Sequence, residues 1–187
     1  MRKQQREAIL ALLEETYMGT ETALNYSTPF ELLVAVIMSA QCTDERVNKI
    51  TARIFPKYNT PEKMGALSQE QLEEEIRDCG LFRSKAKNLL ATCKMLTEEY
   101  NSVIPDTVEE LMKLPGVGKK TANVVASIVY KVPAIAVDTH VFRVSHRLGL
   151  ANGDDPLAVE KELQKAIPKN KCCLLYTSPS PRDISGS

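Results

Sequence analysis

The chain has 187 residues, 43% hydrophobic and 26% charged, with 24 basic and 24 acidic side chains and a formal net charge of zero. That balance excludes a disordered polymer and leaves room for one domain or two small ones around a buried core. No run approaches the roughly 18–20 apolar residues of a membrane span, and the charged start, Met1–Ala11, is unlike a signal peptide, so a cytoplasmic protein is expected.

Helical spacing dominates the pattern. Ile9, Leu12, Leu13 and Tyr17 mark a first helix, and Thr28-Pro29 reads as cap and first-turn proline for Phe30–Ala40. Ser68-x-x-Gln71 and Thr107-x-x-Glu110 are capping boxes predicting helices of about ten and seven residues. Ser84 is expected to cap a longer helix to Tyr100, with Ala86, Leu89, Leu90, Cys93 and Leu96 on its apolar face. Lys119–Tyr130 follows, then Asp138–Leu148 stopped by Gly149, then a helix opened by Asp155-Pro156 that ends before Pro168. Pro133–Val137 is apolar but too short to seed a sheet, so the fold is expected to be all-α with short connections.

From about Cys172 the periodicity gives way to a Ser/Pro tract. A disordered tail is the plainer explanation; adapter-derived or out-of-frame translation joined to a truncated gene is preferred, which makes 172–187 a non-native tail. The cysteines (Cys42, Cys79, Cys93, Cys172, Cys173) are odd in number and include no Cys-x-x-Cys pair, and there are two histidines. Neither a disulfide framework nor a metal site is expected.

The richest stretch is Leu114-Pro115-Gly116-Val117-Gly118-Lys119-Lys120-Thr121-Ala122. Pro115 sets the entry angle, and Gly116 and Gly118 permit dihedrals that a β-carbon would obstruct. Backbone N–H groups then converge at the start of the Lys119–Tyr130 helix, an anion site helped by the helix dipole. A P-loop is excluded, because Lys113 stands where its first glycine belongs, Lys120 stands where Ser or Thr belongs, and no strand precedes. The dinucleotide glycine fingerprint fails at Thr121. A tight helix–helix turn without a ligand remains the plainer alternative.

Lys120 offers an amine nucleophile in the first turn of that helix. The helix's positive end and Lys119 alongside act against the ammonium, while bound phosphate would act for it. Asp138, eighteen residues after Lys120, lies in Val137-Asp138-Thr139-His140. It can cap the helix that follows, and a carboxylate there can also stabilise an oxocarbenium-like sugar. Net neutrality does not oppose such chemistry, since phosphate binding needs a local basic face; Arg83, Lys85, Lys87, Lys119, Lys120, Arg143 and Arg147 lie in the candidate segments.

Four separated motifs in order carry a resemblance: Ser39–Asp44, Gly80–Ala86, Leu114–Val125 and Val137–Val144. The chain resembles the endonuclease III family of helix–hairpin–helix DNA glycosylases with AP-lyase activity, from about Met1 to Asn170. The resemblance implies two helical domains flanking a DNA-binding groove. One is a six-helix barrel over 22–132, with the helix–hairpin–helix near 107–130; the other is discontinuous, 1–21 plus 133–171, and incomplete. It implies a base-excision repair enzyme that acts as a monomer on double-stranded DNA carrying a damaged pyrimidine or an abasic site, and that associates with the nucleoid when bound. Lys120 would attack the sugar, release an oxidised pyrimidine and nick by β-elimination through a Schiff base, with Asp138 assisting. Gln41 and Leu81 would fill the gap left by the flipped nucleotide. Gly116, Val117, Gly118, Lys119 and Thr121 would bind DNA, with Ser39, Asp44 and His140 near the pocket. Carbonyls of Met112, Leu114 and Val117 would hold a monovalent cation. Adenine glycosylases share the hairpin and aspartate but generally lack the lysine, so Lys120 favours the bifunctional, pyrimidine-directed branch.

One departure stands out. The family usually carries a [4Fe–4S] motif, Cys-x6-Cys-x2-Cys-x5-Cys, whereas Cys172 and Cys173 are adjacent and no cysteine follows. No cluster is expected in this chain, which reads as C-terminally truncated. The alternative function is a catalytically impaired helix–hairpin–helix fragment that binds DNA without base excision.

Overall fold

A computed structural model describes residues 7–9, 11, 22–132, 135, 137 and 139–167. Among them the regular structure is wholly helical: α1 (Pro29–Ser39), α2 (Asp44–Ile54), α3 (Pro61–Gly65), α4 (Gln69–Glu75), α5 (Phe82–Glu99), α6 (Val108–Leu111), α7 (Lys119–Tyr130), α8 (Thr139–Arg147) and α9 (Pro156–Ala166). None of these helices is long and apolar enough to cross a membrane. The chain divides into two compact units, 23–129 and 1–22 with 130–187.

Local chemistry starts most of these helices as expected. Thr28 accepts the Glu31 N–H ahead of Pro29, Ser68 and Gln71 complete both halves of their capping box, and Asp155 accepts from Leu157 and Ala158. Satisfying these orphan amides stabilises each terminus by about 1 kcal/mol. Three expectations need correction. α4 and α6 span seven and four residues, shorter than their boxes suggested. In α6 only half the box forms: Thr107 accepts from Glu110 N–H, while the Glu110 carboxylate takes the Tyr100 hydroxyl and the Lys113 ammonium instead. Nor does Ser84 start the long helix; α5 begins at Phe82 behind Leu81, whose backbone is left-handed at φ 59° and which makes no side-chain cap.

In the 23–129 unit, α1 is buried from Phe30 to Met38 and packs against α2 and α5. A helix covered on all sides is the centre of a core. Ile50, Ile54, Met64, Leu72, Ile76, Leu89, Leu96, Leu111 and Leu114 complete that core. Leu90, expected on the apolar face of α5, is only half-buried.

The other unit has a smaller core of Ile135, Val141, Leu150, Ala151, Val159, Leu163 and Ile167, with Ile9 and Val137 against it. Leu12, Leu13 and Tyr17 of the expected first helix lie outside the described residues. α8 ends at Arg147, one residue short of the expected Leu148, and Gly149 (φ 67°) turns the chain beyond it. Gly149 N–H bonds to the His146 carbonyl and Leu150 N–H to that of Ser145, the paired closure that a left-handed residue permits.

Candidate nucleic-acid interface

The hairpin between α6 and α7 is built from a buried hydrophobic base and an exposed rim. Leu114 and Val117 point into the core, and Val117 N–H donates to the Leu114 carbonyl at 3.1 Å. Gly118 supplies the carbonyl for the first bond of α7, from Ala122 N–H at 2.9 Å. Lys119 and Lys120 follow at once and are exposed; Thr121 is half-buried.

α5 holds this turn from beneath. Thr92 Oγ1 donates to the Pro115 carbonyl at 2.8 Å, and a β-carbon on Gly116 would lie 2.9 Å from Asn88. Gly116 also has φ 77°, so it needs glycine for conformation and for room. Gly118 corrects the expectation for this pair. Its φ is outside the left-handed range, and among the described residues nothing lies within 4 Å of where its β-carbon would be. The missing side chain at 118 therefore leaves the backbone open from outside.

Two further turns carry the other candidates. After α1 the chain passes through Gln41, exposed at φ 55°, and after α4 through Leu81, at φ 59° with 59% of its surface exposed. Left-handed backbone at a non-glycine residue is costly and persists only where surroundings enforce it. The turns touch: a β-carbon on Gly80 would lie 3.0 Å from the Gln41 carbonyl.

Lys85 joins them, a residue within the Gly80–Ala86 motif whose importance its sequence position does not disclose. Only 5% exposed, it donates to the carbonyls of Met38 (2.8 Å) and Ala40 (2.7 Å) and to Cys79 Sγ (3.2 Å). Lys85, Asn88 and Thr92 follow i, i+3, i+7 spacing on one helix, and that period was the available signal.

Ser39 is half-buried and donates to the Val36 carbonyl at 2.9 Å. Asp44 is the exposed first residue of α2, whose cap is Thr43. Its acidic charge suits the helix's positive end. Met112 is exposed, and the Leu114 carbonyl already accepts one bond. His140 lies in α8, with its side chain outside the description, as is Asp138 altogether.

The thiols of the described residues do not fit an iron–sulfur cluster. Cys42, Cys79 and Cys93 are free. Burial pushes the Cys93 thiol up to about 12 and raises that of Cys79, against the thiolate form a metal needs. No group of three or more His, Cys, Asp or Glu gathers to hold a metal among the described residues. Cys172 and Cys173 lie outside them, and their adjacency does not match the four-cysteine spacing.

The model of the HhH-GPD superfamily of base excision DNA repair proteins matches residues 34–169. Endonuclease III of Bacillus subtilis (strain 168) is 49% identical over 166 residues, which is 88% of this chain and 76% of that protein. Endonuclease III of Escherichia coli (strain K12) is 46% identical over 168 residues, 90% of this chain and 80% of the relative. A solved endonuclease III, trapped as a covalent intermediate with DNA, has 50% identity and a TM-score of 0.88, covering 95% of this chain and 84% of that one. A thermostable thymine-DNA glycosylase, 20% identical, shares the fold at a TM-score of 0.82 over 96% of this chain and 89% of its own. Identity near one half across nine-tenths of the chain, joined to the same helical architecture, places this chain in the endonuclease III family, enzymes of base excision repair that combine DNA glycosylase and AP lyase activities.

Proposed function

We propose that this chain excises oxidised pyrimidines from double-stranded DNA and nicks abasic sites by β-elimination, with Lys120 as nucleophile. The observation that carries this reading is the exposed pair Lys119–Lys120 in the first turn of α7, directly after the open backbone of Gly118. Amides and the positive helix end suit a phosphate, and the neighbouring amine suits a sugar carbon. Gly116, Val117, Gly118, Lys119 and Thr121 form the binding turn, and its carbonyls at Met112, Leu114 and Val117 are the groups that would hold a monovalent cation. Ser39, Asp44 and His140 serve the pocket.

The Lys120 amine, as free base, attacks C1′ while the glycosidic bond breaks and the base leaves with a proton. The attached amine then passes one proton to O4′ as the C1′–O4′ bond breaks, leaving the ring-opened sugar as the protonated imine. Removing a C2′ proton expels the 3′ phosphate, and water hydrolyses the imine to release lysine. Asp138 stabilises positive charge developing on the sugar. No step requires a cluster. The protein works as a monomer, cytoplasmic and nucleoid-associated on DNA, with 22–132 and 1–21 plus 133–171 as its two helical domains.

Borohydride trapping on duplex DNA with an abasic site tests this reading. A covalent band that Lys120→Ala abolishes is expected. Soluble, helical wild-type protein that binds the duplex but gives no band would overturn it in favour of a binding module without catalysis.

A further inference from the structure

We propose that Lys85 is a positioning residue for nucleotide extrusion, a buried ammonium that holds the Gln41 and Leu81 turns in register so that they enter the duplex as one wedge. The inference rests on the glycosylase reading above and extends it to a buried side chain.

The ammonium has three N–H donors, and its three acceptors are the Met38 carbonyl, the Ala40 carbonyl and Cys79 Sγ. Burying a charge is costly unless every bond is made, and here the count closes. Two of the acceptors belong to the C-terminal end of α1, where a cation is favoured by the helix dipole. α1 supplies no basic residue in its own last turn, so the charge arrives from α5. The third acceptor stands two residues before Leu81. Cys79 in turn donates to the Met38 carbonyl at 3.4 Å, and burial keeps it a thiol. One point charge thus binds the residue before Gln41 and the segment before Leu81, while Gly80 lets the two backbones close up.

What these turns present is unusual for a soluble surface: a largely exposed leucine beside an exposed glutamine, both on left-handed backbone. An apolar wedge of this kind offsets unstacking when a base leaves the helix. Its effectiveness depends on placement, and misplacement near 1 Å costs about 100-fold in rate.

The test compares two substrates for each variant: base release from duplex DNA with thymine glycol, and borohydride trapping on the same duplex with an abasic site. Extruding a paired damaged base needs the wedge more than extruding a site that has lost its base. Lys85→Met is expected to slow base release about 100-fold and to leave trapping within about tenfold of wild type. Gly80→Ala, which presses the turns apart without touching the ammonium, is expected to show the same split and decides the matter should Lys85→Met fail to fold. Cys93→Ala, a buried change on α5 away from the turns, controls for stability and should lower both rates in step with its folded fraction. Equal falls on the two substrates, or no fall in either, overturn the positioning role while leaving the glycosylase reading intact. Wild-type protein that neither releases base nor traps overturns both.

Discussion

A methyl group added at Gly116 would press on Asn88 at 2.9 Å and sit on backbone at φ 77°. Gly116→Ala should therefore destabilise the protein by about 1–2 kcal/mol from the left-handed backbone alone, measured by urea unfolding. Gly118→Ala has open space around it and should change stability by less than about 0.5 kcal/mol. Its cost should fall on DNA affinity, read by fluorescence anisotropy, because the new methyl would stand on the open backbone proposed to meet a phosphate. A Gly118→Ala protein that binds as tightly as wild type would contradict the hairpin's assigned role. At Cys93, burial raises the folded thiol from 9.0 to about 12, while the unfolded thiol titrates at its ordinary value. The sign follows: the stability from burying the neutral thiol is complete below the unfolded value and is lost as pH rises towards about 12. The decline of melting temperature over that alkaline window should be shallower in Cys93→Ala than in wild type.

At the scale of elements, helix starts divide into those written locally and those imposed from a distance. Thr28, Ser68 and Asp155 cap as their neighbours in sequence dictate, and such signals can be read without a fold. Ser84 had equally good local credentials, yet the chain enters α5 three residues earlier, because the turn holding Leu81 is drawn to α1 by Lys85 and by the close approach of Gly80 to Gln41. No local rule reports a partner more than forty positions away. Paired substitutions separate the cases: Ser68→Ala should cost about 1 kcal/mol, whereas Ser84→Ala, with no cap to lose, should fall within about 0.5 kcal/mol of wild type. The polar residues of α5 hide their partners for the same reason. Lys85 counts in the sequence towards a local basic face, yet it is buried against backbone carbonyls, and Asn88 and Thr92 show their part only through the turn they meet.

For the whole molecule, equal numbers of acids and bases mean that attraction to DNA must come from a few placed charges. Exposed Arg83, Lys87, Lys119 and Lys120 lie in the 23–129 unit, on the turns and helices that carry the candidate site. Affinity should fall with added salt, and Lys119→Gln should lower the slope of log K against log salt by about one. Motif order made the family legible in the sequence, since hairpin, lysine and aspartate each have a chemical reason to be what they are. What the sequence left unread was the support beneath them, which lives in backbone carbonyls and therefore in no residue's identity.

Because Lys85, Asn88 and Thr92 share one face of α5, the turns proposed to part the duplex and the turn proposed to grip it take their coordinates from a single helix. An error in that helix's alignment is passed to both at once. A mutation at a buried leucine such as Leu89, far from any base, should therefore surface as poorer discrimination between damaged and intact DNA before it surfaces as loss of binding. Fidelity in such an enzyme is partly a property of its hydrophobic interior.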